Sequence, residues 1–175
     1  MSEENNSEFF DKIIDTAKKF AVEKQQAFIT AEHLLGVLLI EEIVKKVIIK
    51  ATNDIKSIDG LTKDLLQYIE NDDIPTINQP GELPTPVIAI KSIYDRIVGR
   101  AKINDSDIGC IDILVSLIME DESFAQYYLK KSGLTVDNIS NAADELDIGE
   151  VNVEIKNKSD TEEREYLRKY ATFLN

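Results

Sequence analysis

Hydrophobic residues recur every three or four positions along most of the chain, which is the spacing of one face of an α-helix. Ser7 is a candidate N-cap for a first helix, and Thr30 is a candidate N-cap for a second helix over residues 31–41. The same spacing predicts further helices over residues 43–51, residues 54–70, a segment that begins at Pro86 with Thr85 as its N-cap, and residues 109–120, 123–131 and 135–146. The pattern therefore predicts an all-α fold.

The second half of the chain repeats the hydrophobic pattern of the first half. Matching apolar positions are separated by one constant offset up to Glu41 and by a slightly longer constant offset beyond it. These offsets join Ile14 with Ile93, Ile29 with Ile108, Leu35 with Leu114, Leu38 with Leu117, Ile58 with Ile139 and Leu65 with Leu146. Such regularity indicates two copies of a four-helix unit, about residues 8–70 and 86–146, joined by a linker over residues 71–85. We expect the copies to pack about a pseudo-twofold axis into one domain over residues 1–146.

Residues 147–175 differ in character from the two repeats. Residues 151–155 alternate between apolar and polar positions like a short strand, and Ser159 with Glu162 fits a capping box. The helix that would follow carries an apolar stripe of Tyr166, Leu167, Tyr170, Phe173 and Leu174. We expect this tail to be mobile or packed at the periphery, and to lead toward a further domain of a longer protein.

Composition narrows the class of protein. Apolar residues make up 43% of the chain, enough for a folded core, and 33 acidic against 20 basic residues give a formal net charge of −13. Such a surface repels phosphate groups, so we expect no binding to nucleic acid or to a membrane. The sequence has no apolar run of membrane-spanning length, its acidic start does not resemble a signal peptide, and its single cysteine suits a reducing compartment. We therefore expect a cytoplasmic protein.

Candidate chemistry is sparse. The one histidine, His33, and the one cysteine, Cys110, are too few for a zinc site of the usual kind, and phosphate-binding loops and common hydrolase motifs are absent from the sequence. Cys110 is predicted to be a small core residue near a helix start, with a nucleophilic thiol as the alternative. His33 is predicted to brace the start of the second helix, with a surface contact patch as the alternative. We therefore expect neither catalysis nor a bound metal in this chain.

The start of the second predicted helix carries the most specific motif in the sequence. The run FITAEHLLGVLL over residues 28–39 resembles the Clp amino-terminal repeat, whose hallmark is T-x-E-H-L-L-x-x-L-L. The run IGCIDILVSLI over residues 108–118 resembles a divergent second copy, with Asp112 in the place of His33. Residues 120–131 and the dipeptide before Pro86 are similar to the ClpA type, and the resemblance covers about residues 8–146.

The resemblance implies a fold and a function. It implies two tandem four-helix Clp repeats that form the non-catalytic adaptor- and substrate-docking domain of a ClpA-like ATP-dependent unfoldase, which supplies the ClpP protease. The implied partners are a ClpS-like adaptor and unfolded or tagged protein substrates. The implied isolated domain is a monomer and the implied full-length protein a hexamer, with ATP and magnesium only in ATPase domains outside this chain. A stand-alone Clp-repeat accessory protein of a protease complex, without its own ATPase, is the alternative.

The resemblance also implies two partner-binding residues. Glu32 aligns with an acidic residue, and Thr85 with a threonine, that contact the adaptor in the family. A second acidic contact of the family falls on Ala27, which cannot make it. Zinc binding through several histidines, found in some ClpA amino-terminal domains, does not carry over to a chain in which His33 is the only histidine.

Overall fold

A computed structural model describes residues 3–71 and 74–146 of the chain. Within them the prediction of an all-α fold of two four-helix repeats is confirmed. The helices are α1 (Glu3–Glu23), α2 (Ala31–Leu38), α3 (Glu42–Thr52) and α4 (Ser57–Glu70) in the first repeat, and α5 (Ile88–Asn104), α6 (Cys110–Ile118), α7 (Phe124–Lys131) and α8 (Val136–Glu145) in the second. The predictions for residues 147–175 lie outside the described residues.

Both repeats contribute to one hydrophobic core. The apolar helices α2 and α6 contact each other at its centre, and Leu35 and Leu114, which the repeat offset pairs, are both fully buried. Cys110 is also fully buried in this cluster, so its interpretation as a small core residue is confirmed. Gly133 ends α7 with a φ of 92°, and the Leu134 amide donates to the Leu129 carbonyl at 3.2 Å, as in a Schellman motif.

Two predictions about helix starts are wrong. Helix α1 begins at Glu3, so Ser7 lies inside the helix and is not its N-cap. Thr85 does not cap α5, whose N-cap is Val87. Instead Thr85–Pro86 forms a short strand, β2, which pairs in parallel with β1 (Phe28–Ile29). The Thr85 amide donates to the Ala27 carbonyl and the Val87 amide to the Ile29 carbonyl, both at 3.0 Å. A residue before proline is also disfavoured in the helical region, so Thr85 stays extended.

The linker between the repeats pairs with the connection between α1 and α2 on two sides. On one side β2 pairs with β1, and on the other side Gln26 and Thr76 form an antiparallel bridge. The bridge is flanked by hydrogen bonds of 2.7 Å from the Ala27 amide to the Pro75 carbonyl and from the Ile77 amide to the Gln25 carbonyl. Residues 25–29 are therefore held between two parts of the linker, which the sequence pattern did not predict.

Helix α3 contacts α8, and helix α4 contacts α7. These two junctions are equivalent, because α3 of the first repeat corresponds to α7 of the second and α4 corresponds to α8. Each junction is closed by an ion pair: Lys50 with Glu145 at 3.0 Å in the first, and Lys131 with Asp64 at 3.1 Å in the second. The sequence separation between Lys50 and Lys131 equals that between Asp64 and Glu145, and it is the longer of the two repeat offsets. The two ion pairs are therefore copies of one interaction, and they fix the residue-by-residue equivalence of the junctions.

Candidate functional site

The start of α2 is a capping box in which a histidine takes the place usually filled by glutamate. The Thr30 amide donates to His33 Nδ1 at 3.0 Å, and the His33 amide donates to Thr30 Oγ1 at 3.4 Å. An amide can only donate, so Nδ1 carries no proton and the neutral ring holds its proton on Nε2. That proton is donated to Gln26 Oε1 at 2.6 Å, and Gln26 Nε2 donates to the Ile69 carbonyl at 2.9 Å.

This chain of hydrogen bonds joins the start of α2 to the end of α4. Burial lowers the pKa of His33 to about 4, because a charged ring loses its hydration in the core. His33 is therefore neutral in the folded protein near neutral pH. Its side chain is fully buried and bonds to Thr30 and Gln26, which confirms the interpretation of His33 as a helix-start brace.

Glu32 lies at the junction between the two repeats. Its Oε2 accepts a 3.0 Å hydrogen bond from the Ala125 amide in the first turn of α7, and only 5% of the residue is exposed. Burial raises the pKa of Glu32, and hydrogen bonds from the Ala125 amide, its own amide and the hydroxyls of Thr30 and Tyr68 partly offset that rise. A carboxylate beside a helix N-terminus is also stabilised by the helix dipole. Glu32 therefore links α2 of one repeat to α7 of the other.

Four aromatic rings surround this junction, and we call them the aromatic surface: Tyr68, Phe124, Tyr127 and Tyr128. The Tyr68 and Phe124 ring centroids are 4.5 Å apart, and the Tyr127 and Tyr128 centroids are 5.5 Å apart. Phe124 is 49% exposed and Tyr127 is 59% exposed. Burial raises the pKa of Tyr128, and the nearby charges of Asp64 and Glu32 raise it further. The rings form a contiguous apolar surface above a buried carboxyl group.

Thr85 is held in the β1–β2 pair. Strand residues that pair side by side project to the same face, so Thr85 and its partner Phe28 share one face of the β1–β2 pair. Leu83 and Thr85 are exposed while Pro84 between them is buried, which is the alternation of an extended segment. We call Phe28, Leu83 and Thr85 the linker surface. All three are solvent-exposed.

A family model described as the Clp repeat (R) N-terminal domain matches residues 5–132. The chain belongs to this family. The crystal structure of the Hsp104 N-terminal domain from Candida albicans is similar in fold, with a TM-score of 0.58 and 19% sequence identity over 77% of this chain and 86% of that chain. No curated protein sequence matches the chain.

Membership of the Clp repeat family settles the class of site. The family is that of non-catalytic N-terminal domains, in agreement with the prediction that the chain is not an enzyme. Within residues 3–71 and 74–146, no group of three or more His, Cys, Asp or Glu side chains is arranged to hold a metal ion. Across the same residues no helix is long and apolar enough to cross a membrane. The site to look for in this Clp domain is therefore a protein-binding surface.

The two sequence-predicted contact residues of the Clp domain are held by different elements, and no hydrogen bond joins them among those described. Glu32 bonds to α7 below the aromatic surface, and Thr85 is held by β1 on the linker surface. The aromatic surface itself was not predicted. Its signal is present in the sequence, because Phe124, Tyr127 and Tyr128 have the spacing of one helix face. What the sequence lacks is any sign that this face stays partly open to solvent.

Proposed function

We propose that this chain is the adaptor- and substrate-docking domain of a ClpA-like ATP-dependent unfoldase that supplies the ClpP protease. The observation that carries the proposal is the linker surface, where Thr85 lies exposed between the apolar side chains of Phe28 and Leu83. Apolar groups around a polar one, all open to solvent, are typical of a protein-contact surface. The family supports this function, since Clp N-domains bind substrates and adaptors in general.

The backbone of the linker surface is held in place before any partner arrives. The amides of Thr85 and Val87 are both bonded to the β1 segment, so the Thr85 side chain is presented from a fixed backbone. A surface that is already ordered loses less conformational entropy on binding, which favours affinity. In this proposal Thr85 contacts the adaptor directly, and Glu32 acts through the junction that it holds, because its side chain is almost fully buried.

The proposal includes the partners and the setting. A ClpS-like adaptor and unfolded or tagged proteins dock on the domain, which is itself monomeric, while hexamer formation, ATP with magnesium, and delivery to ClpP belong to ATPase domains outside this chain. The net charge of −13 favours partners with a basic contact face, and association with them is faster at low salt. The alternative is a stand-alone Clp-repeat accessory protein, and a reading frame that continues past Asn175 into a phosphate-binding loop would exclude it.

The test is the affinity of the chain for a purified ClpS-like adaptor, measured by fluorescence anisotropy. Thr85→Arg places a bulky charge on the linker surface without removing a helix cap, and we expect it to weaken binding at least about tenfold. Ile103→Arg is the matched control, because Ile103 is exposed at the far end of α5. Equal affinity of the Thr85→Arg and control variants would remove Thr85 from the contact. Failure of the unmodified chain to bind would overturn the adaptor part of the proposal.

A further inference from the structure

The α3–α8 and α4–α7 junctions are equivalent in position, but they differ in how completely their side chains are buried. With the repeat offset fixed by the ion pairs, Phe124 of α7 takes the position of Ile43 in α3. Ile43 is 1% exposed, whereas Phe124 is about half exposed. Tyr128 likewise corresponds to the fully buried Val47, and Tyr127 corresponds to the exposed Lys46.

This difference is not required by the fold. The α3–α8 junction shows that aliphatic side chains close the contact completely, with Ile43 and Val47 both buried. At the α4–α7 junction three aromatic residues occupy the corresponding helix positions and keep much of their ring surface in water. Large exposed rings add little to folding, because the free energy of burial scales with the area removed from water. The rings are therefore available for a ligand.

The charges around the rings select the kind of ligand. Asp121 and Glu122 are exposed just before Ser123, the N-cap of α7, Asp64 pairs with Lys131 at the other end of the helix, and Glu32 is bonded to the first turn of α7. Lys131 is engaged by Asp64 at 3.1 Å, and Lys130 adds one further positive charge nearby. Carboxyl groups thus outnumber lysines around the surface, on a chain whose net charge is −13. Aromatic faces attract cations, and these carboxylates act in the same direction.

We propose that the aromatic surface binds an extended segment of a partner protein by stacking its arginine or lysine side chains on the exposed faces of Phe124 and Tyr127. The two rings contact their neighbours, with Phe124 and Tyr128 centroids at 6.3 Å, so a second cationic or apolar side chain of the same segment meets a continuous surface. Glu32 is not the ligand of the cation, because its carboxylate is buried and bonded to α7. The aromatic surface shares no residue with the linker surface.

The experiment compares three fluorescent peptides of about twelve residues with a common Gly-Ser background. One carries arginines, one carries citrulline at the same positions, and one carries leucine. Citrulline keeps the shape of arginine without its charge. A cation on an exposed ring contributes about two- to fivefold in affinity, so we expect the unmodified chain to favour the arginine peptide over the citrulline peptide by about tenfold.

The variants separate the rings from the overall charge. In the double variant Phe124→Leu with Tyr127→Leu, which keeps the charge, we expect the arginine-to-citrulline ratio to fall about fourfold or more. The double variant Phe124→Tyr with Tyr127→Phe keeps both rings and is expected to keep the ratio. Phe28→Leu, a ring removed from the linker surface, is the matched control and is expected to leave the arginine-to-citrulline ratio unchanged.

Two results would overturn the inference. An unchanged ratio in the double leucine variant would show that net charge alone attracts the peptide. Tighter binding of the leucine peptide than of the arginine peptide would make the surface an apolar docking site instead. Both peptide results stand apart from adaptor binding, because Thr85→Arg leaves the aromatic surface intact and is expected to leave the peptide ratio unchanged.

Discussion

The two repeats build the same helix start with different chemistry. In the first repeat the Thr30 amide donates to the imidazole of His33, and in the second the Gly109 amide donates to Asp112 Oδ2 at 2.7 Å. The repeat offset pairs His33 with Asp112, and each is the third residue of its helix. What the fold requires at this position is an acceptor for one backbone amide, and either a neutral imidazole or a carboxylate supplies it.

The surroundings explain why the acceptors are not interchangeable. The ring of His33 is fully buried and donates a proton to Gln26, whereas Asp112 is half-buried and Gly109 offers no side chain to reciprocate. A carboxylate in the place of His33 has no proton for Gln26 Oε1, and turning the Gln26 amide over to donate to it would set Oε1 against the Ile69 carbonyl. By the same repeat offset, Ala17 of the first repeat corresponds to Arg96 of the second. Arg96 donates to the Ser116 carbonyl at 2.9 Å and to Glu120 at 3.0 Å. Among the described residues, the first repeat buries the polar side chains of Asn6, Gln26, Glu32 and His33, and the second repeat buries that of Ser116.

The largest expected effect tests whether the repeats share one core. Leu35→Ala and Leu114→Ala each remove a fully buried side chain from the centre of the cluster, and each is expected to lower the free energy of unfolding by about 2–5 kcal/mol. Urea unfolding followed by circular dichroism measures both losses. Ile103→Ala, at an exposed site, is the control and is expected to stay within about 0.5 kcal/mol. Two unfolding transitions, each shifted by only one of the substitutions, would mean that the repeats are stabilised separately.

Replacement of Glu32 tests the junction between the repeats. Glu32→Ile introduces the apolar residue type that the second repeat has at Ile111, and it leaves the Ala125 amide without its acceptor. We expect a loss of about 1–3 kcal/mol, the usual result of an unpaired buried donor. Glu32→Gln keeps an acceptor oxygen and is expected to lose less. If both variants unfold at the urea concentration of the unmodified chain, the hydrogen bond to Ala125 does not stabilise the junction.

The brace at His33 predicts a dependence of stability on pH. The pKa of His33 is about 4 in the folded protein and 6.5 without the fold, so the unfolded chain binds more protons between these values. The contribution of His33 to stability is therefore complete above about pH 6.5 and is lost as the pH falls toward 4, by about 2 kcal/mol between about pH 7 and about pH 5.

His33→Gln isolates that contribution. The raised pKa of Glu32 acts in the opposite direction, since the folded protein takes up a proton there more readily than the unfolded chain as the pH falls. Glu32 titrates in both proteins, so the difference between their pH profiles reports His33 alone. We expect the profile of His33→Gln to be flatter by the amount given above. Parallel profiles would mean that His33 has the same pKa in the folded protein and in the unfolded chain.

The smallest expected effect concerns the two ion pairs. Double-mutant cycles with alanine at Lys50 and Glu145, and at Lys131 and Asp64, compare the equivalent interactions directly. Both pairs lie near the surface, so we expect weak coupling that shrinks as salt is added. Coupling at one junction that survives high salt would show that the two pairs are not energetic copies of one another.

Helix positions were predictable from the sequence wherever a buried apolar face recurs. Leu35, Leu114 and their neighbours repeat with helical spacing and at a constant offset, and these signals do not depend on tertiary contacts. The pairing of β1 with β2 was not predictable, because it is made by backbone groups that every residue carries. Thr85 followed by Pro86 matches the sequence of a helix start, and only the contact with β1 shows that both residues are extended.

The candidate site was only partly predictable for a related reason. Glu32 stands in the first turn of its own helix, where a carboxylate is normally exposed, and its burial comes from α7, which is distant in sequence and belongs to the other repeat. The exposure of Phe124 depends on how much of its ring the neighbouring helix covers at the α4–α7 junction, and the spacing of residues in the sequence does not determine that coverage.

The linker has a consequence for how the chain tolerates cleavage. Its two anchors, at residues 75–77 and 85–87, both hydrogen-bond to the segment between α1 and α2, and residues 78–83 between them are largely exposed. A protease that cuts this exposed span severs the chain but not the anchors, and the two fragments still share one core. The amides of Ala27, Ile77, Thr85 and Val87 should therefore exchange slowly with deuterium on both sides of the cut, and the domain should persist as a complex of two pieces.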